Sequence, residues 1–283
     1  MKYSTLFRFV IMFAFVCLIK AAAAAQEVGS NDQIEVLLKQ MKAADWETRS
    51  SAFYKLLDLS FGGKSNGQTW QIPEVLAKFS RNHPNNADEI NTTLIGLLEM
   101  ENNLVREQDK KFELTGETLT EEYTNYYGDL IATVAGLKDS RSVTALVGAM
   151  NTGNMATKAL AELAPFSIDI VAKKVGSDDS LTRDAATIVL SQMLETANIN
   201  RLETAIPGSR EKIKNLLIKK AKDADYNVRL SAINGLAKLQ DVDAVKVLEE
   251  VSQNDPYQSV KGGTVSYPLR EAAKGHLGRM KRN

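Results

Sequence analysis

Gly62-Gly63-Lys64-Ser65 is the run in this sequence that most resembles catalytic machinery, because a Gly-rich turn followed by Lys and Ser is how backbone N–H groups and an ammonium cradle phosphates. The spacing defeats it. A phosphate loop needs a Gly five residues before Gly63, and Asp58 stands there. It also needs a strand before and a helix after, whereas here a helical pattern precedes and Asn66-Gly67-Gln68 follows, so Ser60–Gln71 reads as a long Gly-rich connection. Asp223-Ala224-Asp225-Tyr226-Asn227 places oxygens as a calcium loop does, but its sixth position is Val228 rather than Gly and its twelfth Asn234 rather than Glu. His83 and His276 are the two histidines; they lie far apart, and neither has a ligand-spaced companion. No Ser has a Gly-x-Ser-x-Gly context. The doublets Glu121-Glu122 and Glu249-Glu250 point in different directions on helices. No catalytic, metal-binding or cofactor-binding residue is assigned, no cofactor is expected, and the chain is expected not to be an enzyme.

The elements that would position any site come from 283 residues, 44% apolar and 25% charged, with 35 basic and 35 acidic side chains. That is a globular composition, and zero net charge removes the general attraction a nucleic-acid binder needs. Residues 1–25 read as a cleaved secretory signal: Lys2 and Arg8, an apolar run Phe9–Ile19, then the small residues Ala21–Ala25. The run falls short of the ~20 residues that span a bilayer, and retention as an N-terminal anchor is the minor alternative. Cleavage near Gln26 leaves 32 basic against 35 acidic groups and removes the sole cysteine, Cys17, so no disulfide is available. The expected location is exported: periplasmic in a Gram-negative host, secreted otherwise.

From residue 26 to 283 the helical period dominates, and no convincing alternation marks a strand. Ala52, Phe53, Leu56 and Leu57 share one helical face, as do Val228, Ala232, Ile233 and Leu236. N-cap oxygens are expected at Asn31 or Asp32, at Asp45 and at Asp225, and Thr118 with Glu121 reads as a capping box opening a helix that ends near Leu137. Residues 86–107 read as one long helix. A spacing then repeats: Asp45, Arg49, Ala52; Asp179, Arg183, Ala186; Asp225, Arg229, Ala232; and Arg270, Ala273 with Ser266 in the Asp position. The Arg-to-Arg steps of 46 and 41 residues are those of stacked helix pairs. The second helices repeat as well, Leu137-Lys138-Asp139 to Leu146 matching Leu239-Gln240-Asp241 to Leu248.

This pattern resembles HEAT repeats, most of all the HEAT-like repeats of the phycobilisome-lyase type, in which Asp-x-x-(Val)-Arg-x-x-Ala opens the first helix of a pair; Val228-Arg229-Leu230-Ser231-Ala232 matches best. The resemblance is firm over 45–59 and 179–281 and divergent over 73–175, where Ala156 takes the Arg position. It implies an all-α solenoid of about six stacked antiparallel helix pairs. The Asp and Arg residues are read as satisfying helix ends and loops down the stack, and the small Ala as allowing close helix approach.

Two features are candidates for partner binding. Tyr123, Tyr126 and Tyr127 form the densest aromatic cluster of the mature chain and serve either a contact surface or core filling. The helix from Ser209 carries Arg210, Lys212, Lys214, Lys219, Lys220 and Lys222, read as an outward basic face extended by Arg279, Lys281 and Arg282. The expected function is that of an exported, non-catalytic scaffold binding another protein through its helical surface. The alternatives are an enzyme of the HEAT-like lyase or hydroxylase type, or a binder of anionic lipid through the basic face, in contact with a membrane but not integral to it.

Overall fold

A computed structural model describes residues 31–60, 83–116 and 118–280. The expected signal at 1–25, the phosphate-loop lookalike at 62–65, and Lys281 and Arg282 lie outside them. The chain divides into two compact units, residues 1–97 and 98–283.

In the first unit, residues 31–40 form α1 and Trp46–Ser60 form α2. Asn31 and Asp32 lie inside α1 rather than capping it. Asp45 does cap α2, its carboxylate accepting from the Thr48 N–H at 2.8 Å. The apolar faces are buried as their spacing requires: Ile34, Leu37 and Leu38 on α1, and Ala52, Phe53, Leu56 and Leu57 on α2. α3 runs Ala87–Thr115, longer than the expected 86–107, and the boundary between the units falls within it.

The second unit is an α-solenoid. Its helices are α4 (Glu121–Leu137), α5 (Val143–Gly148), α6 (Asn154–Glu162), α7 (Ala164–Lys174), α8 (Ser180–Met193), α9 (Thr196–Ala205), α10 (Ser209–Lys220), α11 (Tyr226–Leu236), α12 (Val242–Asn254) and α13 (Pro268–Met280). α4, α6, α8, α11 and α13 pack one on the next as a first layer. α5 packs on α7 and α10 on α12 in a second layer, with α9 touching α7, α8 and α10. Ala186, Ala232 and Ala273, the small residues of the repeat, are completely buried, so the first-layer helices meet closely at these points.

The cap of α4 is Thr120, not Thr118: its side chain accepts from the Tyr123 N–H, while the helix ends at Leu137 as expected. The turns that follow α4 and α11 use a left-handed residue. Lys138 (φ 52°) and Gln240 (φ 53°) are the two non-glycine residues with positive φ among those described, and they occupy matching positions before Asp139 and Asp241. Those aspartates cap the next helical turns, accepting from Arg141 N–H and Ala244 N–H at 2.9 and 2.8 Å.

One hairpin departs from the all-helical expectation. β1 (Ser259–Lys261) pairs antiparallel with β2 (Thr264–Ser266), Val260 opposite Val265. Gly262 (φ 57°) and Gly263 (φ 79°) make the two-residue turn, which needs positive φ at both positions. Ser266, expected in the Asp position of the last repeat, therefore belongs to a strand.

Candidate functional site

The repeated arginines build one structure. Arg49 Nη1 donates to the carbonyls of Ala43 and Ala44, Arg183 Nη1 to those of Ser177 and Asp178, and Arg229 Nη1 to those of Asp223 and Ala224, at 2.6–3.0 Å. In each case the carbonyls lie six and five residues upstream, in the turn that leaves the preceding helix. A fixed cation there satisfies carbonyls that have lost their helical donors.

The other edge of the guanidinium reaches the next repeat. Arg183 is bidentate to the Asp223 carboxylate, and Arg229 to that of Asp255, with distances of 2.8–3.3 Å. Asp223 thus takes Arg183 on its side chain and Arg229 on its carbonyl. Asp255 likewise takes Arg229 on its side chain, while its carbonyl accepts from Arg270 Nε at 2.8 Å. The result is a continuous ladder, Arg183–Asp223–Arg229–Asp255–Arg270, running along the loop edge of the solenoid. Bidentate Arg–carboxylate geometry makes each rung directional. Where Ala156 replaces Arg, Ser177 stands in the position of Asp223, so both halves of that rung are absent together.

Asp179 and Asp225 cap α8 and α11, accepting from the backbone N–H groups of the first turn. The calcium-loop lookalike is accounted for by these bonds. Asp225 faces the start of α11, and Asp223 faces Arg183 and Lys220. Among the described residues no group of His, Cys, Asp and Glu is arranged to hold a metal ion.

Burial drives the Asp223 carboxyl upward, but hydrogen bonds from Arg183 and Lys220 outweigh it and hold the group at about 2, below its ordinary 3.8. A carboxyl lowered by folding stabilises fully above its unfolded value, and that contribution disappears as pH falls from 3.8 toward 2. The difference in urea midpoint between the wild-type chain and Asp223→Asn is expected to be constant from pH 7 to pH 5 and to shrink below pH 4. An unchanged difference at pH 2.5 would show that the ion pairs do not carry it.

His276 joins α13 to α11. Arg279 Nη2 donates to Nδ1 at 2.8 Å, so Nε2 carries the proton and donates to Asn234 Oδ1, also at 2.8 Å. Burial, and then the Arg279 charge, lower its pKa.

The expected contact residues fall into two groups. Tyr123, Tyr126 and Tyr127 are buried, at 5%, 0% and 3% exposure, and form no contact surface. The hydroxyls of Tyr123 and Tyr126 donate to the fully buried Glu101 carboxylate at 2.7 and 3.0 Å, and that of Tyr127 donates to Asn102 Oδ1 at 2.6 Å. The rings stay inside because their polar tips find acceptors there. Asn102 in turn donates to the Ala145 carbonyl at 2.8 Å.

The lysines of α10 do not make a continuous outward face. Lys214 is buried among Glu211, Asp241 and Asp243, and the bond to Glu211 leads in raising its pKa. Lys220 turns in to Asp223. Lys212 and Lys222 are exposed but paired with Asp169 and Glu250 at 2.6 and 3.2 Å, and Lys219 is exposed. The basic run is interleaved with acids from α7 and α12, which removes the uniform positive field a lipid surface would need.

Three features have no counterpart in the sequence reading. A cavity of about 340 Å³ opens beside the ladder, lined by Lys222, Asp223, Arg229, Glu250 and Asp255 together with apolar wall residues. Tyr226 and Tyr257 stack face to face, 4.0 Å between centroids, joining the start of α11 to the loop after α12. A groove of about 200 Å³ lies at the junction of α6 and α7, with Lys138, Glu162, Phe166 and Arg201 on its walls. Spacing alone finds none of them, because each joins residues from different repeats.

Over 86% of this chain and 98% of the other, the structure is similar to a designed armadillo repeat protein in complex with the peptide (KR)4, at 14% identity and a TM-score of 0.47. It is similar also to a computationally designed armadillo repeat protein for modular peptide recognition, at 15% identity and a TM-score of 0.44 over 86% and 97% of the two chains. No curated protein matches this chain. Residues 205–266, which hold α10, α11, α12 and the hairpin, match the HEAT repeat family.

Proposed function

We propose that this chain is an exported HEAT-repeat scaffold that binds another protein and performs no reaction of its own. The observation that carries the reading is how its chemistry is used. The repeat aspartates and arginines satisfy one another and the turns, while apolar side chains stay exposed at helix ends and on the hairpin: Phe166 at 61%, Leu181 at 67%, Val242 at 69% and Val260 at 68%. Isolated exposed apolar residues are ordinary on any surface. Here they sit on a stacked framework whose extended surface is suited to holding another chain. The Asp225-to-Ala232 motif supports kinship with the phycobilisome-lyase type of repeat, as a likeness of architecture and not of reaction. Export rests on the basic, apolar and small-residue order of residues 1–25.

Crosslinking capture with the tagged chain in its native host tests this reading. One dominant exported protein is expected, with the captured chain beginning at Gln26. A chain that captures no protein and purifies with a stoichiometric metal or small molecule would overturn the scaffold. Salt-sensitive pelleting with anionic vesicles, without a protein partner, would move the function to the lipid surface.

A further inference from the structure

The larger cavity beside the ladder has its deep charges committed to the rungs, and Lys222 pairs with Glu250 beside it. The groove at the α6–α7 junction differs. Arg201, exposed on α9, donates from Nη2 to Asn198 Oδ1 at 2.8 Å, and its Nε and Nη1 groups have no acceptor among the described residues. Across the groove Lys138 makes one loose ion pair with Glu162, at 3.6 Å, with 72% of the lysine side chain exposed. The lining therefore carries two cations against one carboxylate, and its apolar side is Pro165 and the solvent-exposed ring of Phe166.

The fold does not require these charges. The left-handed turn residue Lys138 is matched by uncharged Gln240 in the later copy of the turn. Arg201 lies on an insertion: fifteen residues separate α8 from α10, whereas five separate α11 from α12 and five separate α4 from α5. Insertions in repeat proteins collect on loops of one face, often the binding face. An exposed ring beside two under-committed cations is complementary to a carboxylate next to an apolar side chain, since each supplies what the other lacks.

We propose that this groove docks an acidic segment of the partner, with a carboxylate held by Lys138 and Arg201 and an apolar side chain laid on Phe166. The proposal rests on the scaffold reading above and specifies its partner's chemistry.

The test is fluorescence anisotropy with the full chain and a labelled peptide of two glutamates, leucine, phenylalanine and two aspartates. The control is the same peptide with its four acids replaced by lysine. The acidic peptide is expected to bind and the basic one not. Arg201→Glu is expected to weaken binding about tenfold or more, and raising salt from about 0.05 to about 0.5 M to weaken it in the wild-type chain. Phe166→Ser should weaken it at both salt concentrations. All three side chains are exposed or at a turn, and an unchanged far-UV circular dichroism spectrum establishes that the variants fold. Failure of the acidic peptide to bind, or equal binding by Arg201→Glu, overturns the groove. A partner captured equally well by wild-type and Arg201→Glu chains would do so while leaving the scaffold reading intact; no captured protein from any version would remove the scaffold itself.

Discussion

Arg229→Ala is expected to lower stability by about 3–5 kcal/mol, the range for removing one partner of a buried ion pair. The Arg229 and Asp255 side chains retain only 10% and 3% exposure, so the substitution leaves the Asp255 carboxylate in the interior with the Tyr257 N–H at 3.0 Å but no cation. It also uncaps the Asp223 and Ala224 carbonyls. Arg183→Ala removes a similar bidentate contact, yet its expected loss is smaller, about 1–3 kcal/mol. Asp223 keeps Lys220 Nζ at 3.0 Å and the Asp225 N–H at 3.1 Å after Arg183 is gone. Urea midpoints of the two variants order the rungs, and a double-mutant cycle of Arg229→Ala with Asp255→Ala isolates the pair. Removing Asp255 as well should recover part of the loss, because no buried charge then remains unpaired. Equal and small losses for both arginines would mean that the ladder merely decorates an edge held by apolar packing.

The ladder shows how far a single sequence reaches. Asp45, Asp179 and Asp225 were legible as caps, because a cap acts within one helical turn and local spacing determines it. The arginine's contact with carbonyls five and six residues upstream is almost as local, and its role at helix ends was legible too. Its second edge was not. Asp223 lies 40 residues from Arg183, and Asp255 lies 26 from Arg229, with the nearest competing carboxylates closer in sequence. The hairpin hides this last rung further by separating Asp255 from Arg270, whereas Asp223 stands only six residues before Arg229.

The tyrosines and lysines fail for the same reason. Tyr123, Tyr126, Tyr127, Leu130, Ile131 and Val134 trace one helical face, so burial of the rings was readable. Whether an acceptor waited for their hydroxyls was not, since Glu101 and Asn102 belong to α3, 22–25 residues earlier. On α10 the lysines were visible, and so were Glu211 and Asp223 beside them, but the further acids that pair with the run, Asp169, Asp243 and Glu250, sit on α7 and α12. The hairpin had a readable signal of its own, Gly262-Gly263 between Val260 and Val265. At three residues a strand, it was too short for an alternating pattern to stand out.

Gly235→Ala and Gly128→Ala make the same chemical change on two helices and are expected to act in opposite directions. A methyl group at Gly235, on α11, would lie 2.7 Å from Leu217 Cδ1 on α10 and 3.0 Å from Ser191 Cβ on α8. Leu217 is completely buried and Ser191 Cβ is fixed to its own helix, so neither gives way freely, and overpacking of this kind costs about 1–3 kcal/mol. At Gly128, on the exposed side of α4, a methyl group meets nothing within 4 Å. There the alanine only restricts the unfolded chain and favours the helix, for a gain of about 0.5–1 kcal/mol. Thermal unfolding of the two variants beside the wild-type chain reads both effects, a lowered midpoint for Gly235→Ala and a raised one for Gly128→Ala. If Gly235→Ala were stabilised as well, α11 would not approach α8 and α10 so closely. The tight stacking that turns separate helix pairs into one solenoid would then need another basis than small residues at the crossings.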